Sequence, residues 1–352
     1  MKSIPIFWVL SFLAVYSIFP ADAQKSPENS KLWSYVPDTI SRDVQRLLRK
    51  SAIDPSLTPR GPSPDDLKAW ADARARFEAI FIPLSQKVVQ ELGPTVKEVR
   101  YGGIPTLDVR PKDWKDNGKV LVDVHGGCWV FFSARSMLGT TARLAALTGM
   151  RVVSVDYTVA PVAKWPQITG QIISVVEALQ HEGYPLRSIA FFGDSAGGNL
   201  AAAVTLKMRD EGVGMPAALV LWSAVTDFEN TADTRVTLKD ADPALSYDHG
   251  TEQGMLAYAD RKDWRNPYVS PVNGDFSKGF PPTLIQVGTK EILLSDSVRL
   301  YQAIEAAGGS AKLDVYEGMP HDFQAWWPDS PEGKLALSKV RAFLFRHLEI
   351  KE

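Results

Sequence analysis

From Val96 to Tyr316 short β-branched runs alternate with longer helical patterns, and this rhythm constrains the fold more than any other feature. The strand candidates are Val96–Tyr101 with Thr106–Arg110, then Val120–Val124, Arg151–Val155, Ser188–Phe192, Ala218–Trp222, Thr283–Val287 and Lys312–Tyr316. Val120–Val124 and Ser188–Phe192 are nearly all apolar, which suits strands covered on both faces of a parallel sheet. Helical patterns over Gln167–Gln180, Ala196–Met208 and Ser297–Ala307 lie between the runs, and Glu332–Leu348 adds an amphipathic helix at the end. Strands alternating with helices predict βαβ units. The expected class is α/β, with a mostly parallel central sheet flanked by helices.

The flanking segments differ. Lys2, the apolar run Ile4–Phe19 and the small residues of Ala21-Asp22-Ala23 fit an export leader over residues 1–23, with cleavage before Gln24. The mature chain is then expected outside the cytoplasm, in the periplasm or the medium. Residues 24–92 carry helical signals. Ser63 is placed to cap a helix with Pro64 at its first position, and Leu67, Trp70, Ala73 and Phe77 follow at helical spacing. Residues 225–280 interrupt the alternation with Asp, Asn, Pro and Gly, and read as an insertion in the 93–352 domain. Together with residues 24–92 they predict a helical cap. The single cysteine rules out an intramolecular disulfide, and with five histidines it leaves little for a zinc site, so no metal is expected. With 39 basic against 41 acidic side chains the net charge is −2, and no basic excess draws nucleic acid.

Chemistry concentrates at four places. Gly193-Asp194-Ser195-Ala196-Gly197 follows a strand candidate and precedes a helix candidate, the context in which G-x-S-x-G makes a nucleophile turn. A sharp turn there exposes the Ser195 hydroxyl beside a helix N-terminus, where developing negative charge is favoured. That hydroxyl needs a base. His181 and His347 read as surface or packing residues, which leaves His321 after the last strand and His249 in the insertion. The acid belongs between serine and histidine in chain order, and Glu291 and Asp296 compete for it after Thr283–Val287. Glu291, nearer the strand end, is preferred because Asp296 also suits a helix cap.

His125-Gly126-Gly127-Cys128 resembles the H-G-G-G element of lipases and esterases, which implies an oxyanion hole from the amides of Gly127, Cys128 and Ala196. A cysteine stands where glycine is usual, and it keeps the donor amide. Its thiol reads as a small apolar filler, and His125 as a residue that orders the loop.

Residues 95–348 resemble the hormone-sensitive-lipase-like branch of the α/β-hydrolases, the bacterial esterase family IV. Besides these motifs, Asp156-Tyr157-Thr158-Val159-Ala160-Pro161 is similar to its D-Y-R-L-A-P, departing at Thr158 and Val159. Its acid motif, aligned on Leu293 and Asp296, puts the acid on Glu291. Its E-x-x-P-H-x-F falls on Glu317 to Phe323 and puts the histidine on His321. The resemblance implies a serine carboxylesterase acting on short- to medium-chain acyl esters through Ser195, His321 and Glu291, with no cofactor. Lactone hydrolysis and peptide or amide hydrolysis are alternatives on the same fold, and a non-catalytic binding protein is disfavoured by the intact serine, acid and histidine. Trp129, Phe131 and Phe323 are candidates for the substrate pocket. The expected partner is a small-molecule ester, without stable membrane insertion; a homodimer is compatible with this reading.

Overall fold

The computed structural model describes residues 32–52, 60–229 and 231–351; the leader expected over residues 1–23 lies outside them. The strands are β1 (Thr95–Tyr101), β2 (Ile104–Arg110), β3 (Val120–Val124), β4 (Arg151–Val155), β5 (Ile189–Asp194), β6 (Ala218–Trp222), β7 (Thr283–Gly288) and β8 (Ala311–Tyr316). They form one sheet in the order β1-β2-β4-β3-β5-β6-β7-β8. β1–β2 and β2–β4 pair antiparallel, and all other neighbours pair parallel. The helices are α1 (Arg42–Ser51), α2 (Leu67–Leu92), α3 (Leu138–Thr148), α4 (Trp165–His181), α5 (Ala196–Asp210), α6 (Asp233–Thr237), α7 (Glu252–Tyr258), α8 (Leu294–Ala306), α9 (Phe323–Trp326) and α10 (Pro331–His347).

The apolar runs explain the layering. Along β5, Ile189 and Phe191 join one core cluster, whereas Ala190 and Phe192 join another on the opposite face. The first face is covered by Ile168 and Ile172 of α4 and Leu200 of α5. The second is covered by Leu144 of α3 and Val340 and Leu344 of α10. Burying one such side chain is worth roughly 1.5–3 kcal/mol, so strands with both faces apolar settle only at the centre of the sheet. Asp123, the one polar residue of β3, accepts a hydrogen bond from Thr141 Oγ1 at 2.5 Å. α3 lies outside the helical patterns legible above, because Gly139, Thr140, Thr141 and Thr148 dilute its helical signal.

Helix α2 begins one turn later than the Ser63 cap predicts. Asp66 is the cap, accepting from Ala69 N at 2.9 Å. The Ser63 carbonyl instead accepts from Asp66 N and from the Trp70 indole, both at 3.0 Å, which commits residues 63–66 to a turn. Gly93 stops the helix at φ +64°, donating to Val89 O.

The flanking segments attach beside the sheet's carboxyl edge. Ile40, Val44 and Leu48 pack on Tyr316, Met319 and Phe323. Lys290 Nζ donates to the carbonyls of Leu32 (3.0 Å) and Tyr35 (2.7 Å). Trp70 and Phe77 of α2 pack on Phe131, and Gly61 lies against Gln253 of α7.

Arg151 fastens the antiparallel edge to the parallel core. It is buried and donates to Asp108 of β2 through Nε (3.2 Å) and Nη2 (3.0 Å). Removing one member of such a pair leaves a poorly compensated buried charge. Arg151→Met is expected to lower unfolding stability by about 3 kcal/mol in urea titration, while turnover by the folded fraction stays within a few-fold of the parent.

Candidate active site

Strand register brings the chemical residues to one edge. Val124 at the end of β3 pairs with Gly193 of β5, Asp194 pairs with Trp222 of β6, and Gly288 of β7 pairs with Tyr316 of β8. The loops leaving these strands therefore emerge side by side, and they carry Gly127 and Cys128, Ser195, Ser223, Glu291 and His321. Open α/β sheets place ligands at this carboxyl edge.

Ser195 occupies the turn between β5 and α5 with φ +52° and ψ −116°. A non-glycine residue at positive φ is strained, and the surroundings hold it there. Ser195 N donates to Trp222 O at 2.8 Å, and its carbonyl accepts from Asn199 N and Val225 N. The turn leaves no room for side chains: a Cβ on Gly197 would stand 1.9 Å from Val124 O, and one on Gly193 would stand 2.3 Å from Gly197 O. Ser195 Oγ stands 3.0 Å from His321 Nε2.

The other ring nitrogen, Nδ1, lies 3.1 Å from Glu291 Oε2. Glu291 is completely buried, and its second oxygen accepts from Gly288 N (2.5 Å) and Ser223 Oγ (2.9 Å). These two bonds fix the carboxylate under the ring. Asp296 is elsewhere and fully committed: it pairs with buried Arg235 at 2.8 Å and accepts from Thr226 N and Asp227 N. It is also not a helix cap, since α8 starts at Leu294 and Asp296 falls within its first turn. His321 is thus the histidine bonded to Ser195; the side chain of the alternative, His249, lies outside the described residues.

The loop after β3 runs through three successive positive φ values, +102° at Gly127, +52° at Cys128 and +62° at Trp129. Cys128 therefore takes the left-handed backbone that a glycine would adopt freely. Gly126 N is tied to Asp194 Oδ1 at 3.0 Å, whereas the amides of Gly127, Cys128 and Ala196 have no acceptor among the described residues. Burial, then the nearby Asp322 charge, push the Cys128 thiol up to about 12, so it stays neutral and un-nucleophilic. His125 Nδ1 donates to Gly126 O at 2.9 Å, its ring stacks on Tyr157, and burial lowers its pKa, so it orders the loop as a neutral ring.

Two of the expected pocket residues are core residues instead. Trp129 is completely buried, with its ring centroid 4.9 Å from that of Tyr258, on which it stacks. Phe323 is completely buried against Tyr316. Phe131 alone of the three is partly exposed, beside Trp70 and Phe77. Sequence reasoning missed Ser223, which holds Glu291, and Asp322, whose Oδ2 stands 3.1 Å from His321 Nε2. The only signals were a serine just past β6 and an acid directly after the histidine. No group of three or more His, Cys, Asp or Glu side chains able to hold a metal ion occurs among the described residues.

These contacts separate the two acids. Glu291→Gln is expected to cut kcat by about 10⁴ with a native unfolding midpoint. Asp296→Ala is expected to destabilise the protein by about 3–5 kcal/mol, with kcat of the folded fraction reduced less than tenfold. Steady-state kinetics beside thermal unfolding checks both.

Comparison with known proteins identifies the family. The family described as alpha/beta hydrolase fold matches residues 121–325. An esterase of Acinetobacter venetianus is 32% identical over 253 residues, covering 71% of this chain and 82% of the relative. An acetyl-hydrolase of Streptomyces hygroscopicus is 32% identical over 74% of this chain and 86% of its own. Among solved structures, esterase E25 superposes with a TM-score of 0.81 at 28% identity, covering 92% of this chain and 98% of that one. An esterase of the bacterial hormone-sensitive lipase family gives 0.75 at 25% identity, covering 99% and 100%. The chain belongs to the α/β-hydrolase fold family, in its hormone-sensitive-lipase-like branch of esterases.

Proposed function

We propose that the protein is a serine carboxylesterase in which Ser195, His321 and Glu291 form the catalytic triad. The reading is carried by one observation: the unbroken chain from Ser195 Oγ to His321 Nε2 (3.0 Å) and from Nδ1 to Glu291 (3.1 Å). His321 takes the hydroxyl proton as Oγ bonds to the ester carbonyl carbon. The carbonyl electron pair moves onto oxygen, which the free amides of Gly127, Cys128 and Ala196 receive. Collapse expels the alkoxide, His321 returns the proton to it, and the acyl group stays on Ser195. Water, deprotonated by His321, then releases the acid. Glu291 holds the ring so that Nε2 faces the serine, and stabilises the imidazolium as it forms.

Short acyl groups fit the surroundings best. The oxyanion loop is overlaid by α7, where a Cβ on Gly254 would meet Cys128 O at 2.7 Å. Phe131, Trp70 and Phe77 crowd its other side. We read α2 and residues 225–280 as a cap that narrows the entrance, and the acetyl-hydrolase relatives point to the same acyl size. The described residues contain no helix long and apolar enough to cross a membrane.

With p-nitrophenyl acetate, butyrate and decanoate as a panel, kcat/KM is expected to fall from butyrate to decanoate. Ser195→Ala is expected to lower kcat by about 10⁶ while circular dichroism stays native. Ordinary turnover by Ser195→Ala would overturn the triad assignment, and a decanoate preference would overturn the acyl-size assignment alone.

A further inference from the structure

His321 carries a second carboxylate, on the opposite side from Glu291. Asp322 Oδ2 lies 3.1 Å from Nε2, the nitrogen that also faces Ser195 Oγ at 3.0 Å. Asp322 is 4% exposed, and its other oxygen, Oδ1, has no hydrogen-bond partner. Burial pushes the Asp322 carboxyl well above its usual value, and the charge on His321 draws it back down, so the ionised acid and the protonated ring support each other. The backbone holds the carboxylate in place, since Asp322 sits at φ +51° and its N–H donates to Ser223 Oγ at 3.2 Å. That same Ser223 hydroxyl donates to Glu291. One serine therefore ties together the two acids that flank the imidazole.

The other titratable groups near the ring are also acids, beside the neutral Cys128 thiol that faces Asp322. Asp194 at the end of β5 and Asp242, between α6 and α7, both interact electrostatically with His321. Both are buried and raised to about 7, chiefly by burial. Lys290 interacts with Asp242 but is turned to the Leu32 and Tyr35 carbonyls. Burial by itself disfavours a charged His321, but Asp322 first, then Glu291 and Asp242, reverse that and raise it above its usual value.

Building on the esterase reading above, we propose that Asp322 is a positioning residue whose carboxylate stabilises protonated His321 from the serine side and so sets the acidic edge of the activity. As Ser195 Oγ attacks, its proton passes to Nε2. The positive ring then lies between Glu291 and Asp322 rather than against Glu291 alone. The same attraction holds a proton on the resting ring, and only the neutral ring can accept the serine proton. A protonated resting base means lost activity on the acidic side. Removing the Asp322 charge therefore moves that edge to lower pH. It also weakens the transition-state ring, so the high-pH plateau falls.

The test uses the full chain with p-nitrophenyl acetate, whose leaving group needs no protonation. Asn and Gly both accept the left-handed backbone at this position, so Asp322→Asn and Asp322→Gly keep the loop and its bond to Ser223. In both, the acidic midpoint of kcat/KM is expected to drop by at least about one pH unit, with a plateau a few-fold to tens-fold lower. Histidine ring resonances in Ser195→Ala, compared with Ser195→Ala/Asp322→Asn, are expected to show the same downward shift without any turnover. A plateau loss with an unmoved midpoint in both variants, or loss of fold in both, would overturn the proposal. The esterase reading fails separately, through an active Ser195→Ala.

Discussion

The site depends on the contact between two chain turns at the centre of the sheet. Gly197, in the first turn of α5, lies so close to the end of β3 that a single added carbon would stand 1.9 Å from Val124 O. This approach places the N-terminus of α5 directly against the loop carrying Gly127 and Cys128. Asp194 reinforces it by accepting from Gly126 N, where glycine is again required because a Cβ would lie 2.3 Å from Asp194 Oδ2. Three amides from two loops are thus held free beside one hydroxyl. Preorganised donors of this kind act without reorganising at the moment of reaction.

Strain and burial elsewhere serve the same edge. Positive φ occurs at Cys128, Trp129, Ser195, Ser223 and Asp322, all on loops that leave the carboxyl ends of strands. Each such residue costs of order 1–3 kcal/mol. The two-sided apolar sheet and the buried pairs Arg151–Asp108 and Arg235–Asp296 stiffen the frame that holds them. Arg235–Asp296 also anchors residues 225–280 to the first turn of α8, which begins three residues after Glu291.

Much of this was legible in the residues. The sheet followed from runs such as Val120–Val124, because two apolar faces leave a strand no edge position. Ser195 was legible because G-x-S-x-G fell between a strand and a helix, and His321 and Glu291 because each follows a strand end. What sequence could not resolve depends on direction and partner rather than residue type. Trp129 and Phe323 have the chemistry of pocket walls, but both are buried against neighbouring rings, Tyr258 and Tyr316. Asp296 looked like a helix cap, while its partner Arg235 lies 61 positions away in sequence. Asp322 is one more acid until the fold brings its oxygen to His321 Nε2.

The central claim is that one hydroxyl, Ser195, is the nucleophile, activated by His321 and faced by free amides. A stoichiometric organophosphate ester such as diethyl p-nitrophenyl phosphate tests it directly, since it traps the activated nucleophile as a stable adduct. Peptide mapping by mass spectrometry is expected to find one diethyl phosphoryl group per chain, on Ser195, with complete loss of esterase activity. An adduct on Cys128 or another hydroxyl that accounts for the inactivation, with Ser195 unmodified, would contradict it.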